Sequence, residues 1–160
     1  MSQTNPLYQE LSQTFVQRGP FSSVSLDKYS PVEIREAVQA LMADDNTTLA
    51  SAVADAALAL MPDCPDVLAV AGLLSMTRQD WEGAAEYLVR LIKVQGTAAP
   101  AATFMMLARA QRCNLDPFAA ANTLDIGLTL HPESDELQQA FDELTACGLP
   151  QMAPVGNVLN

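Results

Sequence analysis

Apolar and polar positions follow one helical pattern that recurs three times along the chain. A residue able to cap a helix is followed four residues later by an alanine, which opens an apolar run with steps of three and four. The cap residues are Asn46, Asp80 and Asp116, and the alanines are Ala50, Ala84 and Ala120. The cap positions are 34 and then 36 residues apart. A period of this length with two helices predicts a solenoid, because one helix pair cannot bury its apolar face alone.

Helix start and stop signals predict the boundaries of the segments. Ser30, Pro31 and Glu33 form a strong start, since serine caps, proline suits the first helical position and Glu33 completes a capping box. Gly96 predicts a helix end, and Ser134 predicts the start of a final helix. The predicted segments are an N-terminal helix and linker at 1–30, helix pairs at 31–64, 65–100 and 101–134, a capping helix at 135–147 and a flexible tail at 149–160.

The N-terminal segment, 1–30, contains a second, weaker apolar pattern. Its spacing predicts a short helix over residues 7–17, which Gly19-Pro20 ends. A linker from Phe21 to Tyr29 follows, with apolar residues of its own. Two interpretations of these residues remain open: they pack under the first helix pair, or they contact a second chain.

The three helix pairs resemble tetratricopeptide repeats (TPRs), a family of 34-residue helix pairs. In the middle pair, Gly72 lies where the family has a close-packed glycine, and residues 80–88 resemble the opening of its second helix. In the third pair, residues 116–121 and 130–132 are similar to the corresponding family segments. The resemblance implies an all-α fold: a TPR-like right-handed solenoid of three helix-turn-helix repeats with a C-terminal capping helix.

The chain also departs from the family pattern. The first-helix tryptophan is replaced by Ile34, Leu68 and Phe104, and the later tyrosine by Leu41, Ser75 and Gln111. The third pair starts two residues late, which predicts a longer loop around residues 95–97.

Composition and charge narrow the function classes. Apolar residues make up 49% of the chain and aromatic residues only 6%, so the core is built from alanine, leucine and valine rather than from the residues that a β-sandwich prefers. The net charge of −11 repels phosphate backbones and argues against nucleic-acid binding. No unbroken apolar run approaches the ~18 residues of a membrane span, so no membrane insertion is expected.

The N-terminus and the cysteines predict a cytoplasmic protein. Residues 1–6 have neither the basic start nor the apolar core of a secretory signal. Cys64, Cys113 and Cys147 are odd in number and far apart, which fits a reducing compartment and argues against a zinc site.

The sequence contains no recognisable catalytic constellation. The single histidine, His131, lies beside Pro132 at a helix end, where it suits the helix dipole better than catalysis. Neighbouring carboxylates such as Asp44-Asp45 and Asp135-Glu136 are expected at helix starts, where the helix dipole favours them. No phosphate-binding loop or metal-ligand spacing is present. We therefore expect no enzyme activity, no metal and no cofactor.

The TPR resemblance implies a concave groove lined by the first helix of each pair. The positions that it assigns to this peptide-binding groove are Arg35, Gln39, Met42, Ala69, Leu73, Met76, Met105, Arg109 and Arg112. Methionine adapts to irregular ligands, and the arginines give the groove a basic edge. The alternative interpretation is that the methionines fill the core and the arginines are solvated. The Lys/Asn pattern of TPR domains that clamp chaperone carboxylates is absent, so that ligand class is not predicted.

The most favoured function is a non-catalytic protein–protein interaction module with a protein or peptide partner in this groove. The layout is similar to type III secretion chaperones for translocator proteins, which hold an extended client segment and often dimerise through the N-terminal region. The alternative is a self-assembling scaffold or adaptor of a bacterial multiprotein complex, in which residues 149–154 occupy their own or a neighbour's groove.

Overall fold

The structure is a computed structural model that describes residues 5–18 and 25–146 of the 160-residue chain. These residues form eight α-helices and two short 3-10 turns, with no β-strand among them. The prediction of an all-α chain is therefore confirmed for this part of the sequence. None of these helices combines the length and hydrophobicity needed to cross a membrane. The chain divides into two compact units, Met1–Gly96 and Thr97–Asn160.

Unit 1 contains an N-terminal helix and two helix pairs. Its helices are α1 (Pro6–Arg18), α2 (Pro31–Ala43), α3 (Thr47–Leu60), α4 (Pro65–Thr77) and α5 (Trp81–Gln95), with a 3-10 turn at Leu26–Lys28. α4 packs against both helices of the preceding pair. Unit 2 contains one pair and a closing helix. These are α6 (Ala101–Cys113), α7 (Pro117–Leu130) and α8 (Asp135–Ala146), and the second 3-10 turn lies at Gly96–Ala98.

The helix starts follow the sequence signals. The Ser30 hydroxyl accepts a hydrogen bond from the Glu33 N–H at 3.3 Å, and the Glu33 carboxylate accepts one from the Ser30 N–H at 2.8 Å. This reciprocal pair is the predicted capping box. Asn46, Asp80 and Asp116 cap the second helices, each accepting from the N–H three residues later, at 3.4, 3.1 and 2.9 Å respectively.

The turn inside each helix pair has one left-handed residue. Asp45, Gln79 and Leu115 have φ angles of 59°, 61° and 60°. In each turn this residue donates its N–H to the carbonyl three residues earlier, and the next residue donates to the carbonyl five residues earlier. These bonds form a Schellman motif at the end of the first helix. All three pairs therefore share one turn geometry, although none has glycine at the left-handed position.

The connections between pairs explain why the third pair starts two residues late. α3 and α7 have 14 residues each, whereas α5 has 15. Four residues separate α3 from α4, and five separate α5 from α6. One extra residue thus lengthens the helix and one lengthens the loop. Gly96 ends α5 with φ 57° and ψ −130°, a backbone conformation that favours glycine.

The repeated apolar positions are the core positions of each unit. The three pattern alanines, Ala50, Ala84 and Ala120, have 0% exposure. The residues at the family's tryptophan position, Ile34, Leu68 and Phe104, have 0%, 0% and 1% exposure. Isoleucine, leucine and phenylalanine are thus each buried at this site, so the pairs form without tryptophan there.

α1 completes the core of unit 1. Leu7 and Leu11 are buried together with residues of α2 and α3. Leu26 of the 3-10 turn is also buried there, and Tyr29 packs against the same cluster. These two linker residues therefore pack on their own chain.

Two glycines allow close helix packing, one in each unit. A Cβ atom on Gly72 would lie 3.1 Å from Leu88 Cγ, and one on Gly127 would lie 3.0 Å from Phe104 Cβ. Such distances are shorter than ordinary van der Waals contacts, so glycine fits best at both positions. Gly72 thus has the close-packing role that the sequence pattern predicted for it.

His131 has a structural role in unit 2. It follows the last residue of α7, and its Nε2 lies 2.7 Å from the Ala99 carbonyl oxygen. Because a carbonyl oxygen only accepts hydrogen bonds, Nε2 donates in this contact. The ring also packs edge-on against Phe104, with the centroids 6.2 Å apart. The histidine thus fixes the loop before α6 to the end of α7.

Some predictions lie outside the described residues. They concern the linker residues Phe21 and Val24, the side chains of Phe15 and Val16, Cys147 and the tail at 149–160.

Candidate functional site

The six predicted groove positions of unit 1 lie on α2 and α4. Steps of four and three residues place each set of three on one helix face. On α2, Gln39 is exposed, Met42 packs partly against the core, and Arg35 is half-buried. The Arg35 guanidinium forms an ion pair with Asp66 in the first turn of α4. This pair joins the two helices. The Arg35 guanidinium, which the groove prediction assigned to ligand binding, is therefore already paired with a carboxylate of the same chain.

The α4 positions of the groove are only partly covered. Ala69, Leu73 and Met76 are all half-buried. They form an apolar strip with no charged side chain of its own. In unit 1, therefore, the predicted positions form a partly accessible apolar face beside an internal ion pair.

Unit 2 contains a cleft that brings the other three predicted positions together. Its volume is about 560 Å³. α6 contributes Met105, Met106, Ala108, Arg109, Arg112 and Cys113, α7 contributes Leu124, and α8 contributes Ala140 and Glu143. We call this site the α6–α8 cleft. Methionine and small apolar side chains line it, and charged side chains lie at its edge.

An internal comparison explains why the cleft exists. The interval along the chain from the start of α2 to that of α6 equals the interval from the start of α4 to that of α8. At this offset Ala140 corresponds to Val70, which is 1% exposed in the core of unit 1. The smaller alanine and the polar Glu143, in place of Leu73, fill less of the space beside α6. Met105 likewise replaces Arg35, so the ion pair of unit 1 has no counterpart among the described residues of unit 2.

The charge at the cleft differs in sign from that of the whole chain. Arg109 and Arg112 are both exposed, and neither forms an ion pair with any described residue. Glu143 is the one acidic side chain among the residues that line the cleft. The lining therefore carries a local excess of one positive charge on a chain whose net charge is −11.

Sequence reasoning identified Met105, Arg109 and Arg112 but missed the opposite wall. It treated α8 as a solubilising cap and did not extend the repeat to it. The start of α8 follows the start of α6 by the same interval that separates the starts of α4 and α2, so α8 occupies the position of another first helix. That spacing was the available signal for Ala140 and Glu143.

Perturbed ionisable groups do not mark a catalytic site in the described residues. Hydrogen bonds to carboxylates raise the pKa values of Tyr8 and Tyr29, through Asp44 and Glu10 respectively. The backbone and side chain of Ser30 lower the pKa of Glu33 by hydrogen bonding. Within residues 5–18 and 25–146, no group of three or more His, Cys, Asp or Glu side chains is arranged to hold a metal ion.

Solved structures share this arrangement of helices. A chain of the APC/C hetero-tetramer Cut9-Hcn1 aligns with 74% of this chain, at a TM-score of 0.61 and 21% identity. MamA from Desulfovibrio magneticus RS-1 aligns with 88% of this chain, at a TM-score of 0.66 and 17% identity, and the alignment covers 83% of the MamA chain. MamA AMB-1 also aligns with 88% of this chain, at a TM-score of 0.67 and 16% identity, and the alignment covers 70% of that MamA chain. These neighbours contain tetratricopeptide repeats.

The chain has a TPR-like fold. It spans only 24% of the Cut9-Hcn1 chain that it matches. No family model matches the sequence, and no curated protein matches it at a significant level. At identities of 15–21% the likeness concerns the fold of the TPR-like chain and not its partners.

Proposed function

We propose that this TPR-like chain is a non-catalytic protein–protein interaction module that binds a segment of a partner protein along its first helices. The observation that carries the proposal is the α6–α8 cleft, where an apolar, methionine-lined wall lies beside two exposed arginines. Its volume of about 560 Å³ lies within the usual range for ligand sites. It accommodates side chains of a bound segment rather than a folded domain.

The lining predicts the chemistry of the partner segment. Met105 and Met106 have flexible, polarisable side chains that adapt to apolar residues of different shape. Arg109 and Arg112 can each form paired hydrogen bonds with a carboxylate. We therefore propose a segment with an apolar residue in the cleft and an acidic residue beside the arginines. The α4 positions of unit 1 offer a separate apolar strip for another part of the partner.

A charge-matched pair of variants tests this proposal. A partner is first captured from the source lysate, its binding segment is mapped by truncation, and the segment's affinity is measured by titration calorimetry. The variant Arg109→Glu reverses a cleft charge, whereas Lys93→Glu reverses an exposed charge on α5. We expect the first change to weaken binding by at least about tenfold, since it places like charges together, and the second to change it by less than about twofold. Equal affinity of both variants for the segment would contradict the proposed site.

A narrower version of the proposal is a small acidic secretion chaperone of the cytoplasm. Its support is the layout of one N-terminal helix, three helix pairs and a closing helix. The partner would then be a secreted protein that degrades or precipitates without this chain. Co-expression with and without the chain, followed by solubility and secretion assays, tests this version. A captured partner that stays soluble and stable alone would contradict it.

Dimerisation through the N-terminal region is a further part of this version. Leu7 and Leu11 already pack in the core of their own unit, so other positions of this region would form the interface. Sedimentation equilibrium of the full chain over a range of concentrations tests the proposal, because a deletion of α1 would also remove Leu7 and Leu11 from the core. A full chain that remains monomeric at high micromolar concentration would contradict it.

A scaffold or adaptor is the alternative function. It is favoured by one observation, that a structural neighbour is described as part of a hetero-tetramer. In that case captured partners would remain together as one assembly of fixed stoichiometry. Light scattering on the captured complex distinguishes this outcome from a one-to-one chaperone complex.

A further inference from the structure

The sequence that follows α8 has a distinctive composition. Residues 147–160 contain no charged side chain, although charged residues make up 17% of the chain. Four of their apolar residues, Leu149, Met152, Val155 and Val158, recur every three positions, whereas Ala153 and Leu159 lie outside this series. A polyproline-II strand has three residues per turn, so this spacing places all four on one side of such a strand. Pro150 and Pro154 favour that conformation for themselves and for the residues before them.

The α6–α8 cleft lies directly beside the point where this segment begins. Ala140 and Glu143 of α8 form one wall of the cleft, and α8 ends at Ala146. The six residue steps from Ala140 to Ala146 rise about 9 Å along the helix axis. An extended chain advances about 3.1–3.4 Å per residue, so three or four residues beyond a reversal at Gly148 cover this distance. Leu149 and Met152 are the apolar residues within that reach.

We infer that Leu149 and Met152 of the chain's own segment bind in the α6–α8 cleft as an extended strand. Met152 then lies beside Met106 and Ala140, where the smaller alanine leaves room for it. The short tether keeps the segment near the cleft at an effective concentration of about 1 mM or more, which favours it over a free peptide. The uncharged segment also avoids repulsion by the acidic chain.

This occupancy has a regulatory consequence, which rests on the proposed function. A partner segment must displace Leu149 and Met152 before it enters the same cleft. The apparent affinity for the partner is reduced by the fraction of molecules in which the cleft is free. The segment would thus act as an internal competitor that sets a threshold for partner binding.

Disulfide trapping tests the docking itself without any partner. The three native cysteines are replaced (Cys64→Ala, Cys113→Ser, Cys147→Ser), and Met106→Cys is paired with either Met152→Cys or Asn157→Cys. The second pair is the control, because position 157 lies outside the three-residue apolar series. The rate of disulfide formation under mild oxidation is followed by mass spectrometry. Circular dichroism checks that each variant has the wild-type helix content.

We expect the 152 pair to form at least about tenfold faster than the 157 pair, at a rate independent of protein concentration. If the segment does not dock, the two pairs differ only in the length of the tether, which is six residues from Ala146 to position 152 and eleven to position 157. That difference in length changes the rate of disulfide formation by only about two- to threefold. A ratio in this lower range overturns the inference. Disulfide-linked dimers whose rate rises with concentration also overturn it, since the occupant would then be a second copy.

A change within the segment separates docking from folding effects. Leu149→Lys follows the last described helix in sequence and brings a positive charge to a cleft whose lining already carries an excess of one positive charge. We expect it to slow the 152 pair to the rate of the 157 pair, and an unchanged rate contradicts the inference. Once a partner segment is known, Leu149→Lys should also strengthen the binding of that segment. If Leu149→Lys leaves partner binding at the cleft unchanged, the competition alone is refuted, whereas failure of the disulfide test refutes the docking.

Discussion

Leu115 is a leucine in a position that favours glycine, and we expect Leu115→Gly to raise the free energy of unfolding. Its φ angle is 60°, and its side chain is 89% exposed. A left-handed conformation costs a residue with a Cβ atom about 1–2 kcal/mol. The exposed side chain contributes almost no buried area in return. Leucine at this site therefore destabilises unit 2 relative to glycine.

The net magnitude follows from two opposing effects. Glycine removes the conformational cost but loses more chain entropy on folding, about 0.5–1 kcal/mol. The expected gain is therefore about 0.5–1 kcal/mol. With a urea m value of about 2 kcal/mol/M, the unfolding midpoint rises by about 0.3–0.5 M. Equilibrium urea unfolding, followed by far-ultraviolet circular dichroism, measures this change.

Matched variants separate backbone strain from side-chain packing. Leu115→Ala keeps the Cβ atom and should leave the midpoint almost unchanged. Gln79→Gly changes the same turn position in unit 1, where φ is 61°, and should give a gain of the same sign. Asp45→Gly should give less, since aspartate tolerates this conformation better. If Leu115→Gly gives no more stability than Leu115→Ala, or if both variants lose stability, the strain argument is wrong.

Three further predictions concern packing and ionisation. Gly127→Ala should lower the free energy of unfolding by about 1 kcal/mol, since overpacking against the Phe104 Cβ atom outweighs the gain in helix propensity. Gly72→Ala would meet the Cγ and Cδ2 atoms of Leu88, which can shift by side-chain rotation, so it should cost less in the same urea assay; the reverse order would contradict the packing argument. Hydrogen bonds from Ser30 lower the pKa of Glu33 below 4.5, so the stability that they contribute is present above pH 4.5 and lost as the pH falls through the folded-state pKa. Urea midpoints measured across this acidic range should therefore fall less steeply with decreasing pH for Ser30→Ala than for wild type. Parallel curves for the two proteins would argue against this link. The hydrogen bond to Glu10 raises the pKa of Tyr29 above 10.0, so the stability that this bond contributes is present below pH 10.0 and lost as the pH rises through the folded-state pKa. Glu10→Gln should return the pKa of the phenol, measured by ultraviolet absorbance, toward 10.0. A titration curve identical to that of wild type would rule out the assigned cause.

The repeated elements were predictable because their signals are local. The capping residues Asn46, Asp80 and Asp116 act on backbone groups three residues away, and the sequence alone contains both partners. The pattern alanines are buried because a helix face has a fixed period. The two-residue delay of the third pair was also readable, although its division between α5 and the following loop was not.

The candidate site was only partly predictable, because it depends on what faces each helix. Arg35 and Met105 occupy corresponding positions on α2 and α6. Arg35 meets Asp66 and forms an ion pair, whereas Met105 lines a cleft. The groups that face these two side chains belong to α4 and α8, so neither outcome is visible from α2 or α6 alone. The nine groove positions remain a prediction, and the α6–α8 cleft brings three of them together.

By itself, the sequence determined the all-α class, the period, the caps and the buried faces, since these depend on residues within one or two helical turns. Only the tertiary structure decided where space remains after the faces are packed. Val70 and Ala140 differ by two methyl groups at corresponding positions, and that difference matters only because each faces a neighbouring helix. The same is true of His131, whose contact with Ala99 joins residues that are far apart along the chain. Volume and long-range pairing are properties of the assembled helices, so they became visible only in the fold.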